Sequence, residues 1–350
     1  PEPGRRLGKL RNWQTILGLV ISLACLGFVL REVDFARLWQ LTLGINPLYV
    51  VAINLLLALS FWARSARWRV LLRPVRDCTI KPLLVANLIG FMANNVLPAR
   101  LGEFVRAFAA QRVAGAPASA ALATIVVERI LDGLTLLLIL FLTLVFADPA
   151  KTAGAFSVAY MRAAGVSLLA VYLGVLAVIW CLWRWPLATT SLATRLAGKI
   201  SPRLADLAGQ ILATFAQGLA VLGQARHLPL LCLQSVLVWL PGLAMYVVFL
   251  PALGLPPSLF LGAMAFVGAS LASAVPAGPG YVGTFQLAVL WALVIAGAPA
   301  EPAAAYALLF WAAEYFPLTI AGLIAMWANG LNLSTLSRAG AAEGGEGGGE

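Results

Sequence analysis

Charged residues are scarce in this chain, and histidine is nearly absent. Only 11% of the 350 residues are charged, whereas soluble domains carry about 25%, so a soluble globular protein is excluded. The single histidine, His227, argues against a histidine-based catalytic or metal centre. The 4 cysteines are scattered without paired or metal-binding spacing. We therefore expect no metal, no cofactor and no disulfide framework.

Long apolar runs make up most of the chain, which is 61% hydrophobic with a mean hydropathy of +0.91. The runs are continuous, as in membrane helices, and lack the alternating ten-residue pattern of an outer-membrane barrel. We predict an all-α integral membrane protein with about six transmembrane helices. The predicted spans are 13–30, 47–70, 118–147, 156–183, 228–250 and 303–328.

Two further apolar runs, 82–97 and 258–275, end in clusters of proline and glycine. These residues stop helices, since proline removes a hydrogen bond and glycine frees the backbone. We predict two re-entrant helical hairpins whose broken tips lie at membrane depth. Their second arms are expected to begin near Ala99 and near Gly280. The predicted helix-break residues are Pro98, Gly102, Pro276, Gly278, Pro279, Gly280 and Gly283.

Lysine and arginine are concentrated on alternate connections, which predicts the orientation of the chain. We assign six of them to the loop after the second span, on the cytoplasmic side: Arg64, Arg67, Arg69, Arg73, Arg76 and Lys81. This pattern predicts a bacterial or archaeal cytoplasmic membrane protein with both termini inside. We expect the basic residues behind the net charge of +10 to interact with anionic lipid headgroups, and we expect no nucleic-acid partner.

The chain also repeats its own order of elements. Residues 47–147 and 228–328 both read as span, apolar arm, break, second arm and span. Three spans separate the starts of the two units, so they have opposite orientations, as in inverted-repeat transporters. We predict one transmembrane domain over 1–330. A disordered tail rich in glycine and glutamate is expected at 331–350.

The first hairpin carries polar groups suited to an anion. Asn94 and Asn95 end the first arm, and Arg100 precedes a helix start whose free N–H groups favour negative charge. The alternative reading makes Arg100 and Arg106 interfacial anchors and the asparagines helix caps. Glu103 either caps the second arm or contacts a ligand.

Three charges lie inside the third span. Burying Glu128, Arg129 and Asp132 unpaired would cost on the order of 9 kcal/mol. Arg129 and Asp132 are three residues apart and can pair, which leaves Glu128 for Arg100 or a cationic substrate group. The alternative is a structural knot of salt bridges. The second hairpin offers only Thr284 and Gln286, with Glu314 as a lone acid in the span facing it.

These motifs resemble the lysylphosphatidylglycerol synthase transmembrane region family, over roughly 10–330. The matching segments are 95–106, 127–132 and 276–286. Two departures are that no aminoacyl-transferase domain is present and that Gln286 stands where the family has glutamate. The resemblance implies movement of lipids between leaflets. By position it implies a headgroup site at Asn95, Arg100, Glu103, Arg106, Glu128, Arg129 and Asp132, with Pro98 and Gly102.

The sequence therefore predicts a lipid flippase or scramblase rather than an enzyme. Its substrate would be an anionic phospholipid, an aminoacylated lipid or a lipid-linked headgroup. A separate lipid-modifying synthase or glycosyltransferase is the expected protein partner. Two alternatives remain open: an intramembrane lipid or glycolipid transferase, or an accessory subunit of one, and a small-solute secondary carrier.

Overall fold

Helices account for all the regular structure in the part of the chain that the computed structural model describes, namely residues 18, 20–97, 101–145, 158–199, 201–202, 204–206, 209, 212, 228–273 and 277–332. The first six helices are α1 Val20–Arg31, α2 Phe35–Gly44, α3 Pro47–Leu72, α4 Ile80–Val96, α5 Gly102–Ala114 and α6 Ala118–Val145. Six further helices are α7 Val158–Arg184, α8 Pro186–Gly198, α9 Leu228–Phe249, α10 Leu259–Ala272, α11 Thr284–Ile295 and α12 Ala300–Ala328. The predicted all-α class is confirmed for these residues.

Several helices are long enough to cross a membrane. Three of them also qualify by composition, at Pro47–Leu72, Leu230–Leu253 and Ala300–Ala328. α6 and α7 are of similar length, at 28 and 27 residues, and α6 carries the three charges of the predicted site near its middle. The chain is thus a multi-pass membrane protein, while the count of six spans stays a prediction.

The first break separates α4 from α5, and α5 begins later than predicted. Its first residue is Gly102 rather than Ala99. The start is fixed by Asn94, whose Oδ1 accepts a hydrogen bond of 2.9 Å from the Gly102 N–H. Gly102 also lies so close to the Gly90 carbonyl that a Cβ would overlap it. Pro98 and Arg100 lie outside the described residues.

The second break is longer and is built from backbone. A 3-10 turn at Pro279–Tyr281 precedes α11, which begins at Thr284 and not near Gly280 as predicted. Gly280 and Gly283 have φ of 68° and 87°, a region that favours glycine. Gln286 Oε1 accepts a 2.6 Å hydrogen bond from the Gly283 N–H, and this cap fixes the later start. Pro276 lies outside the described residues.

Helix α1 packs on this second break. The Gly278 N–H donates a hydrogen bond of 2.9 Å to Ser22 Oγ. A Cβ at Gly283 would overlap the carbonyl oxygen of Ser22. The tip of the second break is therefore held by a helix that precedes both predicted repeat units.

The segments 47–147 and 228–328 pack on each other through three pairs of helices. α3 packs against α9, α4 against α12, and α10 against α6. Lipid is as apolar as the side chains, so close approach of helices depends on small residues. Gly322 of α12 shows this, because a Cβ there would overlap Met92 Cβ and lie 2.6 Å from the Leu88 carbonyl oxygen of α4.

We expect Gly322→Ala to destabilise the protein by about 1–3 kcal/mol, because the Leu88 carbonyl is backbone and cannot move aside without shifting α4. Gly174→Ala is the matched control, since no atom lies within 4 Å of a Cβ at that helical position. Thermal unfolding in detergent micelles measures both variants. Equal midpoints for the two would contradict the close contact of α4 with α12.

Candidate functional site

A cavity of about 630 Å³ lies between the two units. Its wall includes residues of α3 to α6 on one side and of α9 to α12 on the other. Six of the predicted site residues line it: Asn94, Asn95, Glu103, Arg129, Asp132 and Glu314. Its volume is in the range of small-molecule sites, about 300–1,000 Å³. The structure thus brings most of the candidate residues, which come from four helices, to one space.

Asp132 on α6 accepts four contacts at the edge of this cavity. Its Oδ1 accepts hydrogen bonds from Arg67 Nη2 at 2.7 Å and from Trp239 Nε1 at 3.0 Å. Its Oδ2 accepts one from Arg64 Nη1 at 3.0 Å and pairs with Arg129 Nη2 at 3.3 Å. The predicted pairing of Arg129 with Asp132 is present. It is one of three guanidinium contacts to this carboxylate.

Glu128 is fully buried behind the cavity wall. Its Oε1 accepts a hydrogen bond from Arg67 Nη2 at 2.9 Å, and its Oε2 lies 2.6 Å from Arg106 Nη2. The Arg106 guanidinium also lies over the Trp68 ring, with 3.8 Å between Cζ and the ring centroid. The described partners of Glu128 are therefore Arg67 and Arg106, in place of a substrate group. For Glu128 and Arg106 the geometry matches the structural salt-bridge knot.

Seven charged residues form one charge cluster: Arg64, Arg67, Glu103, Arg106, Glu128, Arg129 and Asp132. Arg67 is its centre, because Nη2 contacts both Glu128 and Asp132 while Nη1 donates to Ser235 Oγ on α9 at 2.9 Å. Removing one partner of a buried ion pair costs about 3–5 kcal/mol. The cluster therefore ties α3, α5, α6 and α9 together.

Arg129 is the cluster's most accessible cation at the cavity. Its side chain is 41% exposed, and its contact with Glu103 is long, at 3.7 Å. Arg64 also lines the cavity with 11% of its side chain exposed. Glu103 therefore contacts a neighbouring arginine, while the described cap at the start of α5 comes from Asn94. A guanidinium group has five N–H donors, so Arg129 can bind an anionic ligand through the donors that its long contacts leave unused.

The two asparagines of the first break hold the local backbone. Asn94 caps α5, while Asn95 Nδ2 donates to Thr319 Oγ1 on α12 at 2.9 Å. The Tyr315 hydroxyl donates to the Asn95 carbonyl at 3.2 Å. Both asparagines also line the cavity. Asn94 therefore caps a helix, as the alternative reading expected, and both side chains are also placed where a ligand could reach them.

The opposite wall is aromatic, with one acid. Trp311 and Tyr315 stack with 4.5 Å between ring centroids, and Trp311 Nε1 donates to the Gly280 carbonyl at 2.9 Å. Glu314 lies between Trp311 and Tyr315 in the sequence of α12 and lines the cavity. Within the described residues its carboxylate has neither a hydrogen bond nor an ion pair. Gln286 is buried and its side-chain oxygen caps α11, so this oxygen is not available to the cavity.

Sequence reasoning placed Arg64 and Arg67 in a cytoplasmic loop, and this assignment is wrong. Both lie inside α3 and are buried, because Glu128 and Asp132 compensate their charge. One signal was available: the two arginines are three residues apart and share a helix face, matching a pair of acids four apart on α6. Trp239 and Ser235 carried no comparable signal. Arg100, expected as the partner of Glu128, lies outside the described residues.

Comparison with known proteins places this site in context. The family described as "Lysylphosphatidylglycerol synthase TM region" matches residues 15–322. Glycosyltransferase AglD of Haloferax volcanii is 28% identical over 325 residues, covering 85% of this chain and 51% of that protein. A UPF0104 membrane protein of Methanocaldococcus jannaschii is 26% identical over 127 residues, covering 35% of this chain and 38% of that protein. The chain thus spans about half or less of these relatives. No solved structure matches it significantly.

We expect Arg67→Met to lower stability by about 3–5 kcal/mol, because Glu128 and Asp132 lose their shared cation. Arg69→Met on the same helix is the control. Arg69 is exposed and contacts exposed Asp77 at 3.4 Å, so its loss costs about 0–1 kcal/mol. Thermal unfolding in detergent compares them. A small, equal effect of both substitutions would rule out Arg67 as the centre of the cluster.

Proposed function

The chain belongs to the lysylphosphatidylglycerol synthase TM region family, and on that premise we propose that it moves lipids between the two leaflets of a membrane. The observation that carries the proposal is the cavity shared by both units, with arginines on its wall at Arg64 and Arg129. Charged side chains inside membrane helices are costly in free energy, so they are kept where they serve a structural or functional role. Guanidinium groups that face an open cavity are available to a substrate.

The proposed substrates share a phosphate on a lipid headgroup. They are an anionic phospholipid, an aminoacylated lipid or a lipid-linked headgroup. Arg129 and Arg64 would hold the phosphate, since guanidinium binds its oxygens in a bidentate manner. Asn94 and Asn95 line the same cavity and offer amide groups to the headgroup. Arg100 remains a predicted further contact, and Arg106 and Glu128 act behind the wall as structural support.

Alternation between two open states would come from an inverted repeat. Under an inverted repeat, α3 corresponds to α9, α4 to α10 and α6 to α12. Exchanging each helix with its counterpart turns the contact of α4 with α12 into the contact of α10 with α6. The contact of α3 with α9 is unchanged by the exchange. A pseudo-two-fold axis has this property. We infer six spans and two re-entrant hairpins, with rocking of one unit against the other.

An inverted repeat predicts that equivalent loops lie on opposite sides of the membrane. Asp77 follows α3 and Pro257 follows α9, and both are exposed. In a variant with the four native cysteines replaced by serine, Asp77→Cys should react with an impermeant maleimide only from the cytoplasmic side. Pro257→Cys should react only from the outer side. Labelling of both from one side would contradict the inverted repeat.

The transport proposal is tested in proteoliposomes that contain fluorescent phosphatidylglycerol in both leaflets. Dithionite quenches the outer leaflet, so continued loss of fluorescence measures flipping. We expect Arg129→Gln to slow flipping at least tenfold, because the cavity loses its most accessible cation, and Arg100→Ala to slow it as well. Arg112→Gln is the control, since Arg112 is exposed on α5 away from the cavity and should keep the wild-type rate.

Two results would overturn the proposal in different ways. No flipping by the wild-type protein, with any headgroup that bears a phosphate, would remove the function. Equal flipping by wild type and Arg129→Gln would rule out the assigned phosphate site, provided that thermal unfolding measurements show both proteins to be folded.

A second candidate is a role in lipid-linked glycosyl transfer, as a transferase or its accessory subunit. It is favoured by the similarity to a protein named as a glycosyltransferase, of which this chain covers 51%. Glu103, Asp132 and Glu314 at the cavity could then act as general acid or base. Mass spectrometry of lipids incubated with the purified chain and a sugar donor separates the candidates, since transport alone produces no new lipid.

A further inference from the structure

Glu314 differs from the other acids around the cavity. Glu103 and Asp132 each contact an arginine, whereas Glu314 has no cation partner among the described residues. It is half-buried, in a wall built from aromatic rings. A carboxylate in such surroundings is stable when a cation joins it or when it takes up a proton.

The charges of the site also balance in a specific way. The charge cluster has four arginines and three carboxylates, a surplus of one positive charge in the described part of the chain. Glu314 faces the same cavity as this cluster. A phosphodiester bound there adds a negative charge, which disfavours the ionised form of Glu314 and favours its neutral form.

We propose that Glu314 is a proton-binding site coupled to the substrate, taking up one proton from solvent when an anionic headgroup enters the cavity and releasing it when the headgroup leaves. This rests on the proposed function and adds to it that transport of an anionic lipid is proton-coupled. The headgroup and the proton travel together, with no other group transferred. Glu314 then donates a hydrogen bond as a neutral acid while the phosphate lies on the arginines.

The size of the cavity makes the coupling strong enough to measure. Two unit charges roughly 10 Å apart, as in a space of this volume, change a proton affinity on the order of tenfold at an effective dielectric of 20. The headgroup and Glu314 both face the same 630 Å³. Proton affinity and lipid affinity change by the same factor, because linkage is reciprocal.

Titratable groups from several helices line the same cavity as Glu314 or lie next to its wall. The charged ones are those of the cavity wall on α3, α5 and α6: Arg64, Glu103, Arg129 and Asp132. The tyrosines are Tyr246 of α9, Tyr281 of the second break, and Tyr306 and Tyr315 of α12 itself. The described residues of α4, α10 and α11 add no charged side chain to the wall. Glu314 is thus the cavity acid without a guanidinium contact, and the one whose protonation breaks no ion pair.

Proton uptake on binding tests the inference directly. Dihexanoyl phosphatidylglycerol is added to the protein in weakly buffered detergent near neutral pH, and a pH indicator reports uptake. We expect uptake of roughly half a proton per bound lipid for the wild type at the pH where uptake is greatest, because a tenfold rise in proton affinity changes the protonated fraction of one site by about that much. We expect no uptake for Glu314→Gln. Glu301→Gln is the control on the same helix, because Glu301 pairs with Arg37 at an exposed site, 3.0 Å away, and should keep wild-type uptake.

Each outcome is decisive. Wild-type binding without uptake, or uptake retained in Glu314→Gln, overturns the proton site and leaves the transport proposal intact. Preferential binding of zwitterionic dihexanoyl phosphatidylcholine without uptake overturns it as well, since Glu314 would then take an ammonium group. Absence of any binding by the wild type overturns both. In proteoliposomes, a pH gradient should change the wild-type flipping rate and leave the rate of Glu314→Gln unchanged, and a gradient response in that variant counts against the inference.

Discussion

The contact of one guanidinium with two carboxylates is the interaction on which the rest of the structure depends. Arg67 bridges Glu128 and Asp132 and reaches Ser235 on α9, so it joins the two units at a fully buried position. Without this bridge, two acids four residues apart on α6 would repel each other. With it, the second oxygen of Asp132 is free for Arg64 and Arg129, and these two cations face the cavity.

The two breaks in the fold are held by different kinds of interaction. The first is stabilised by side chains, through the Asn94 cap, the bond of Asn95 to Thr319 and the ion pairs of α5. The second is stabilised by glycine conformations and by the Gln286 cap. Charge is therefore concentrated on one side of the cavity, and aromatic rings with a single acid on the other.

Sequence reasoning found the features that depend on local spacing. The helical class, the positions of both breaks and the pairing of Arg129 with Asp132 follow from hydrophobic runs, proline and glycine clusters and the i,i+3 rule. It missed the burial of Arg64 and Arg67, because the partners of these residues lie more than 60 positions away. Charge bias then assigned them to a loop. The starts of α5 and α11 were also misplaced, since side-chain caps decide them and proline positions alone do not.

The seat of α1 on the second break has a mechanical consequence. Through Ser22, this helix is bonded to Gly278 and packed on Gly283, so the second tip carries a lever that the described first tip lacks. Among the described residues, the second break is therefore fastened to a helix outside the two predicted repeat units. A rearrangement at the second break would have either to break the hydrogen bond between Ser22 and Gly278 or to move α1 with it.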